Sequence, residues 1–175
     1  MRGVVLVGFM GTGKTVVGKK LAERLQMKFI DVDGLIEERS GTSISEIFDR
    51  FGEPHFRKVE KEVVAEVSAG DGLVVATGGG AVLDPENVTN LKSMGKMIHL
   101  SARPDVILER TKDADDRPLL ETADRRKQIA ALLAKRAPFY ARADYEIDTS
   151  ELSVEDVVDE IVSYLKESFD GRSVG

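Results

Sequence analysis

Cysteine is absent from the 175 residues. Disulfides and thiolate metal centres are therefore excluded, and the composition suits a reducing compartment. A basic excess is missing as well. The formal net charge is −6, opposite to the footprint of a general nucleic-acid or anionic-membrane binder. No apolar run approaches the ~20 residues that span a bilayer. The apolar start, "MRGVVLVGFMGTGK", is too short for a signal sequence and runs into a glycine loop instead of a cleavage site. Repeats, low-complexity tracts and dividing linkers are also lacking. These absences leave a single domain, expected in the cytoplasm as a monomer, without nucleic-acid or membrane partners. Hydrophobic residues at 42% suffice for its core, and charged residues at 32% suit its surface.

Short apolar runs alternate with amphipathic stretches. Residues 3–9, 28–32, 72–77, 96–101 and 144–148 are expected as strands. The first and third are almost wholly apolar, as in strands covered on both faces. Val17, Leu21 and Leu25 recur at helical spacing after Lys14. Val154, Val157, Val158, Ile161, Val162 and Leu165 form one stripe, and Ser153 with Asp156 makes a capping-box start before it. Such alternation implies an α/β fold, a parallel sheet with helices on both faces. Two segments break the rhythm. Residues 33–69 are helical in pattern and too long for one crossover, which suggests an inserted subdomain. Residues 112–121, "KDADDRPLLE", are charged and aperiodic, as in a loop.

"GFMGTGKT", residues 8–15, matches G-x-x-x-x-G-K-[ST] between an expected strand and an expected helix. Glycines let backbone N–H groups, here from Gly11, Thr12 and Gly13, turn around phosphate oxygens at a helix N-terminus. Lys14 would reach the β- and γ-phosphates of ATP and the Thr15 hydroxyl would ligate Mg²⁺. The N-K-x-D base-reading motif of GTPases is absent. "FIDVD" places Asp31 and Asp33 two residues apart at the carboxyl end of the second strand. One carboxylate could hold a metal-bound water and the other could accept a proton from an attacking hydroxyl. Asp33 could instead cap the helix starting near Gly34.

Three features have both a plain and a functional reading. Arg57 and Glu60 can pair at i,i+3, and Arg136 can simply end a helix before Pro138. Residues 110–142 hold nine Lys or Arg against five Asp or Glu. That excess is either a solvated helix face or a set of arginines meeting an anion. Gly78, Gly79 and Gly80 require either a turn with φ > 0 or the close approach of another group.

Together, "GFMGTGKT", "DVD", "FRKVE", "TGGG", "RPLL" and "RAPFY", in that order from residue 4 to 165, resemble the shikimate kinase family. The resemblance implies a P-loop kinase fold with a five-stranded sheet, a substrate-binding subdomain at 33–61 and a lid at 112–123. It implies that Arg57 and Arg136 bind the carboxylate of shikimate, with Glu60 orienting Arg57. Asp33 would bind ring hydroxyls and act as base, and Phe56 would wall the ring. Gly79 and Gly80 would meet the substrate through their backbone. Arg117 would close over the γ-phosphate, Arg110 would stack on adenine, and Thr15 with Asp31 would serve Mg²⁺. The adenine loop would fall at 147–152, and His55 and His99 would be structural. The implied reaction moves the γ-phosphate of ATP to the 3-hydroxyl of shikimate, in aromatic amino-acid biosynthesis. Alternatives are another small-molecule kinase of this fold, such as gluconate kinase, or a catalytically silent relative.

Overall fold

The computed structural model describes residues 2–113 and 124–170. Five strands form one sheet: β1 (Gly3–Val7), β2 (Lys28–Asp31), β3 (Leu73–Ala76), β4 (Gly95–Ser101) and β5 (Tyr145–Asp148). Their order is β2-β3-β1-β4-β5, and every pairing is parallel. Successive side chains of a strand point to opposite faces, so β1 supplies two cores. Val4 and Leu6 join Leu21 of helix α1 (Lys14–Leu25) and Val157, Val158 and Ile161 of the C-terminal helix. Val5 and Val7 face the other way. They meet α2 (Val32–Ser40), α3 (Ile44–Ser68) and α4 (Pro85–Met94) through Ile36, Val63, Val64 and Leu91. A smaller cluster of Phe9, Ile107 and Ile129 ties α5 (Pro104–Thr111) to α6 (Arg125–Tyr140) beside the sheet.

Four of the expected strands run one or two residues too long, and the fourth in order, β4, starts one residue earlier than expected. β1 ends early because Gly8 bends the chain out of it with φ 149°. Residues 33–69 fold as α2 and α3 and share the sheet's own core through Ile36, Ile47, Phe56 and Val63. Helix α3 breaks at Gly52, where φ 80° and ψ 168° are non-helical, two residues before Pro54. A proline inside a helix removes one backbone donor and crowds the preceding turn. The cap of α2 is Asp31, whose carboxylate accepts from the Gly34 N–H at 3.3 Å. This corrects the expectation that Asp33 might cap this helix.

The sheet order decides where the chemistry lies. β1 and β3 are neighbours, and each ends at a glycine-rich stretch, residues 8–13 and 78–80. β2, beyond β3, delivers Asp31 to the same edge. Ligands of open α/β sheets bind at that carboxyl edge, where neighbouring connections leave in opposite directions. No helix among the described residues is long and apolar enough to cross a membrane.

Helix α7 (Val154–Asp170) closes the fold with the capping box read from sequence. The Asp156 N–H donates to Ser153 Oγ at 3.1 Å, and the Ser153 N–H donates to Asp156 Oδ2 at 3.1 Å. Of its apolar stripe, Val157, Val158, Ile161 and Leu165 are buried, while Val154, in the first turn, stays 36% exposed. Ser153→Ala should lower the urea unfolding free energy by about 1 kcal/mol with an unchanged slope. No change in the midpoint would mean that packing alone holds the helix start.

Candidate active site

The phosphate loop leaves β1 with positive φ at Gly8, Gly11 and Gly13, a conformation that side chains other than glycine rarely adopt. Thr12 is fully buried, and its hydroxyl donates inward to the Phe9 carbonyl at 2.8 Å. Only its backbone N–H is left for a phosphate. Gly13 caps α1 without a side chain, so the helix presents bare N–H groups and a partial positive end. Lys14 Nζ donates to the Gly8 and Phe9 carbonyls at 2.8 Å each. The Thr15 hydroxyl donates to Asp31 Oδ2 at 2.8 Å. A hydroxyl and a carboxylate thus share one point at the mouth of the loop.

A cavity of about 250 Å³ adjoins this loop, small for a ligand site and suited to a small polar molecule. It gathers Gly11, Gly13, Lys14, Thr15, Asp31, Asp33, Phe56, Arg57, Glu60, Gly79, Gly80 and Arg136. Three of the expected residues are not among its walls. Thr12 is turned behind the loop, Arg110 lies on the loop's far side, and Arg117 falls outside the described residues. Ile44 and Phe48 of α3 add an apolar wall that sequence reasoning did not single out, with Phe48 and Phe56 ring centroids 4.8 Å apart. Their helical spacing in α3 was the available signal.

The chain turns at the three glycines, with the Ala81 N–H donating to the Gly78 carbonyl at 3.2 Å, but the turn does not by itself call for glycine. None of them has a positive φ. A Cβ at Gly78 would lie 2.7 Å from Asp33 Oδ1 and 3.1 Å from Glu60 Oε2. At Gly80 it would run into the Arg57 guanidinium, and at Gly79 it would lie 3.3 Å from Arg136 Nη1. The groups that approach this backbone most closely are the charged side chains of the cavity. Tyr140, one turn beyond Arg136 on α6, fixes the strip by donating to the Gly79 carbonyl at 2.6 Å. The R-x-x-x-Y spacing contained that residue, but local sequence could not reveal a bond to a segment 61 residues away.

Charge is paired on one side of the cavity and not on the other. Arg57 Nη1 donates to Glu60 Oε1 at 2.8 Å, and Arg57 Nη2 lies 3.3 Å from Glu53. Burial pulls the Arg57 pKa down, but Glu60 and Glu53 carry it above the ordinary arginine range. Glu60 is 1% exposed, and its Oε2 has no hydrogen-bond partner among the described residues. Burial raises the Glu60 pKa, Arg57 and Arg136 oppose that, and Asp33 adds to it. Arg136 is 5% exposed, lies 5.5 Å from the Phe9 ring centroid and has no carboxylate at ion-pair distance among the described residues. Glu60 acts on it only from beyond ion-pair distance, and a buried cation without a close counter-charge is costly unless something compensates it.

The histidines keep to structural positions. His55 is exposed against Phe51, with ring centroids 5.0 Å apart. His99 is buried and stacked on Tyr140, with centroids 4.6 Å apart. Burial lowers its pKa despite the opposing effect of Glu146. Arg110 uses the edge of its guanidinium on the Gly11 carbonyl (3.2 Å), Thr149 Oγ1 (3.0 Å) and the Thr149 carbonyl (2.8 Å). In-plane bonds of this kind leave the flat faces available for stacking.

Comparison with known proteins points the same way. Residues 10–166 match the family model described as shikimate kinase. A shikimate kinase of Caldanaerobacter subterraneus subsp. tengcongensis is 49% identical over 95% of this chain and 98% of its own length. One from Geobacter sulfurreducens is 50% identical over 95% of this chain and 92% of its own. Among solved structures, the shikimate kinase of Acinetobacter baumannii in complex with shikimate superposes with a TM-score of 0.93. It is 36% identical and covers 96% of this chain and 94% of that one. On sequence, fold and the arrangement of its cavity, this chain belongs to the shikimate kinase family.

Proposed function

We propose that this chain transfers the γ-phosphate of ATP to the 3-hydroxyl of shikimate, giving shikimate 3-phosphate and ADP in aromatic amino-acid biosynthesis. The observation that carries the reading is the cationic end of the cavity. Arg136 is buried without a carboxylate partner, and Arg57 is held beside the glycine strip by Glu60. Two planar guanidinium groups suit a carboxylate better than two ammonium groups would. With the carboxylate of shikimate there, Phe56 walls the ring and the backbone of Gly79 and Gly80 borders it. Asp33 accepts the hydrogen bond of the 3-hydroxyl and takes its proton as the oxygen attacks the γ-phosphorus. The bond from that phosphorus to the bridging oxygen breaks, and ADP leaves.

On the nucleotide side, Gly11, Thr12 and Gly13 offer backbone N–H groups and Lys14 offers its ammonium to the phosphates. Arg110 presents a flat face to the adenine, while most of the lid expected at 112–123, with Arg117, lies outside the described residues. Helices within 33–61 form the acceptor side. Phosphoryl transfer needs this combination of positioning and charge stabilisation more than covalent help from the protein.

Thr15 and Asp31 fit Mg²⁺. Their two oxygens stand 2.8 Å apart beside the loop, and this ion commonly takes one or two protein oxygens together with phosphates and water. No cluster of three or more His, Asp or Glu suited to a metal occurs among the described residues, which agrees with an ion carried in on ATP. Thr15 and Asp31 would hold the ion, which would supply charge neutralisation for the phosphates. Every described group named belongs to one copy of the chain, and the proposed enzyme is a cytoplasmic monomer.

ADP release should require shikimate and should be negligible with quinate or gluconate as acceptor. Release with gluconate alone would move the chain to another kinase activity. Arg57→Ala should raise the KM for shikimate roughly ten- to a hundredfold while ATP affinity stays near wild type. Arg57→Lys should recover only part of the loss, and equal damage to both substrates would sink the assignment.

Glu60 carries a pH prediction. Its folded pKa lies above the unfolded one, so the folded state binds the proton more firmly. The ionised group therefore lowers stability as pH rises through the range between the two. Glu60→Gln should gain urea stability over wild type as pH rises above the ordinary carboxylate value of 4.5, yet bind shikimate less well. A gap that narrows with rising pH would contradict this.

A further inference from the structure

Thr149 is buried, follows directly on β5 and has no role in the reaction just described. It is 3% exposed, and its hydroxyl lies 2.9 Å from the Thr12 carbonyl and 3.1 Å from the Ser101 carbonyl. One hydroxyl has one proton to give. Ser101 O already accepts the Thr149 N–H at 2.8 Å, so Thr12 O has the stronger need of it. The same hydroxyl accepts from Arg110 Nη1, which also donates to the Gly11 carbonyl. Thr149 and Arg110 therefore hold two consecutive carbonyls of the phosphate loop, one of them from 137 residues away in the chain.

The peptide plane makes this contact matter. All peptide bonds described are trans, so the C=O of one residue and the N–H of the next point in opposite directions. With the Gly11 carbonyl turned to Arg110, the Thr12 N–H faces the other way. With the Thr12 carbonyl turned to Thr149, the Gly13 N–H does too. Gly11 and Gly13 both border the cavity, so the opposite side of these planes is the phosphate cradle.

The residues on either side of Thr149 are hydrogen-bonded as well. Asp148 Oδ1 accepts from the Ser150 N–H at 2.9 Å, and Ser150 Oγ accepts from the Arg103 N–H at 2.9 Å. Arg103 Nη2 also donates to Glu151 at 2.6 Å. A rigid turn of this kind can set the geometry of a glycine loop that has little intrinsic preference of its own.

We propose that Thr149 is a positioning residue for the triphosphate: with Arg110 it orients the phosphate-loop peptide planes so that the Thr12 and Gly13 N–H groups face the bound phosphates. The inference rests on the kinase reading above and assigns a partner to its nucleotide site. Thr149→Val keeps the shape and removes the hydroxyl, while Thr149→Ser keeps the hydroxyl.

Calorimetric titration should show MgATP binding to Thr149→Val weakened about tenfold, the size of one lost hydrogen bond. Inorganic tripolyphosphate should weaken by a similar factor, because the defect lies in the cradle. The KM for shikimate should stay within about twofold, and Thr149→Ser should bind MgATP like wild type. Should Thr149→Val not fold, Thr149→Ala is scored in the same way.

Undiminished MgATP affinity in the valine variant overturns the inference. Loss with MgATP but not with tripolyphosphate also overturns it, by moving the role to the adenine side. Parallel loss of both substrates that serine does not rescue reduces Thr149 to a general structural part and overturns it as well. A wild type that binds no ATP overturns the kinase reading itself, and this inference with it.

Discussion

Arg136 is the constraint around which the molecule is organised. Its guanidinium is 5% exposed and has no carboxylate at ion-pair distance among the described residues. Taking a cation out of water costs several kcal/mol even after relaxation. The Phe9 ring offsets part of that cost. The remainder is what the proposed carboxylate ligand would offset. Arg57 is treated differently, with Glu60 and Glu53 holding it at the entrance. One arginine is thus oriented by carboxylate neighbours, and the other has none at ion-pair distance among the described residues.

Everything near Arg136 serves its placement. Helix α6 carries both Arg136 and Tyr140, and Tyr140 binds the Gly79 carbonyl, so helix and glycine strip are fixed together. β3 brings the strip up beside β1, whose phosphate loop begins immediately after it. The phosphate loop and the glycine strip therefore lie side by side because their two strands are neighbours. The loops need no other device to bring them together. Three bare glycines make the junction possible, since Asp33, Glu60, Arg57 and Arg136 occupy the space where their side chains would stand.

Much of this was legible in the sequence because it is local. The phosphate loop is a contiguous pattern, the cap of α7 lies within four residues, and strands buried on both faces announce themselves as apolar runs. The triple glycine was legible as a demand for close approach, but what approaches comes from α2, α3 and α6, and no spacing reveals that. Arg136 looked like an ordinary helix end because burial is a property of the assembled fold. Asp31 and Asp33 were both visible, yet which of them caps α2 depends on the angle at which β2 passes into that helix. Thr149 fell within the stretch expected as the adenine loop, but nothing singled it out. Its partners Thr12 and Arg110 lie 137 and 39 residues away, joined only by the strand order.

If Arg136 is buried for the sake of a ligand carboxylate, removing it should relax the empty protein and abolish its response to shikimate. The direct measurement is the urea unfolding free energy of wild type and Arg136→Met, each with and without shikimate. Without shikimate, Arg136→Met should be at least as stable as wild type. At about a hundred times the dissociation constant, shikimate should stabilise wild type by roughly 2.7 kcal/mol and leave Arg136→Met unchanged. A variant that is less stable when empty, yet stabilised by shikimate as fully as wild type, would contradict the placing of this arginine at the centre of the site.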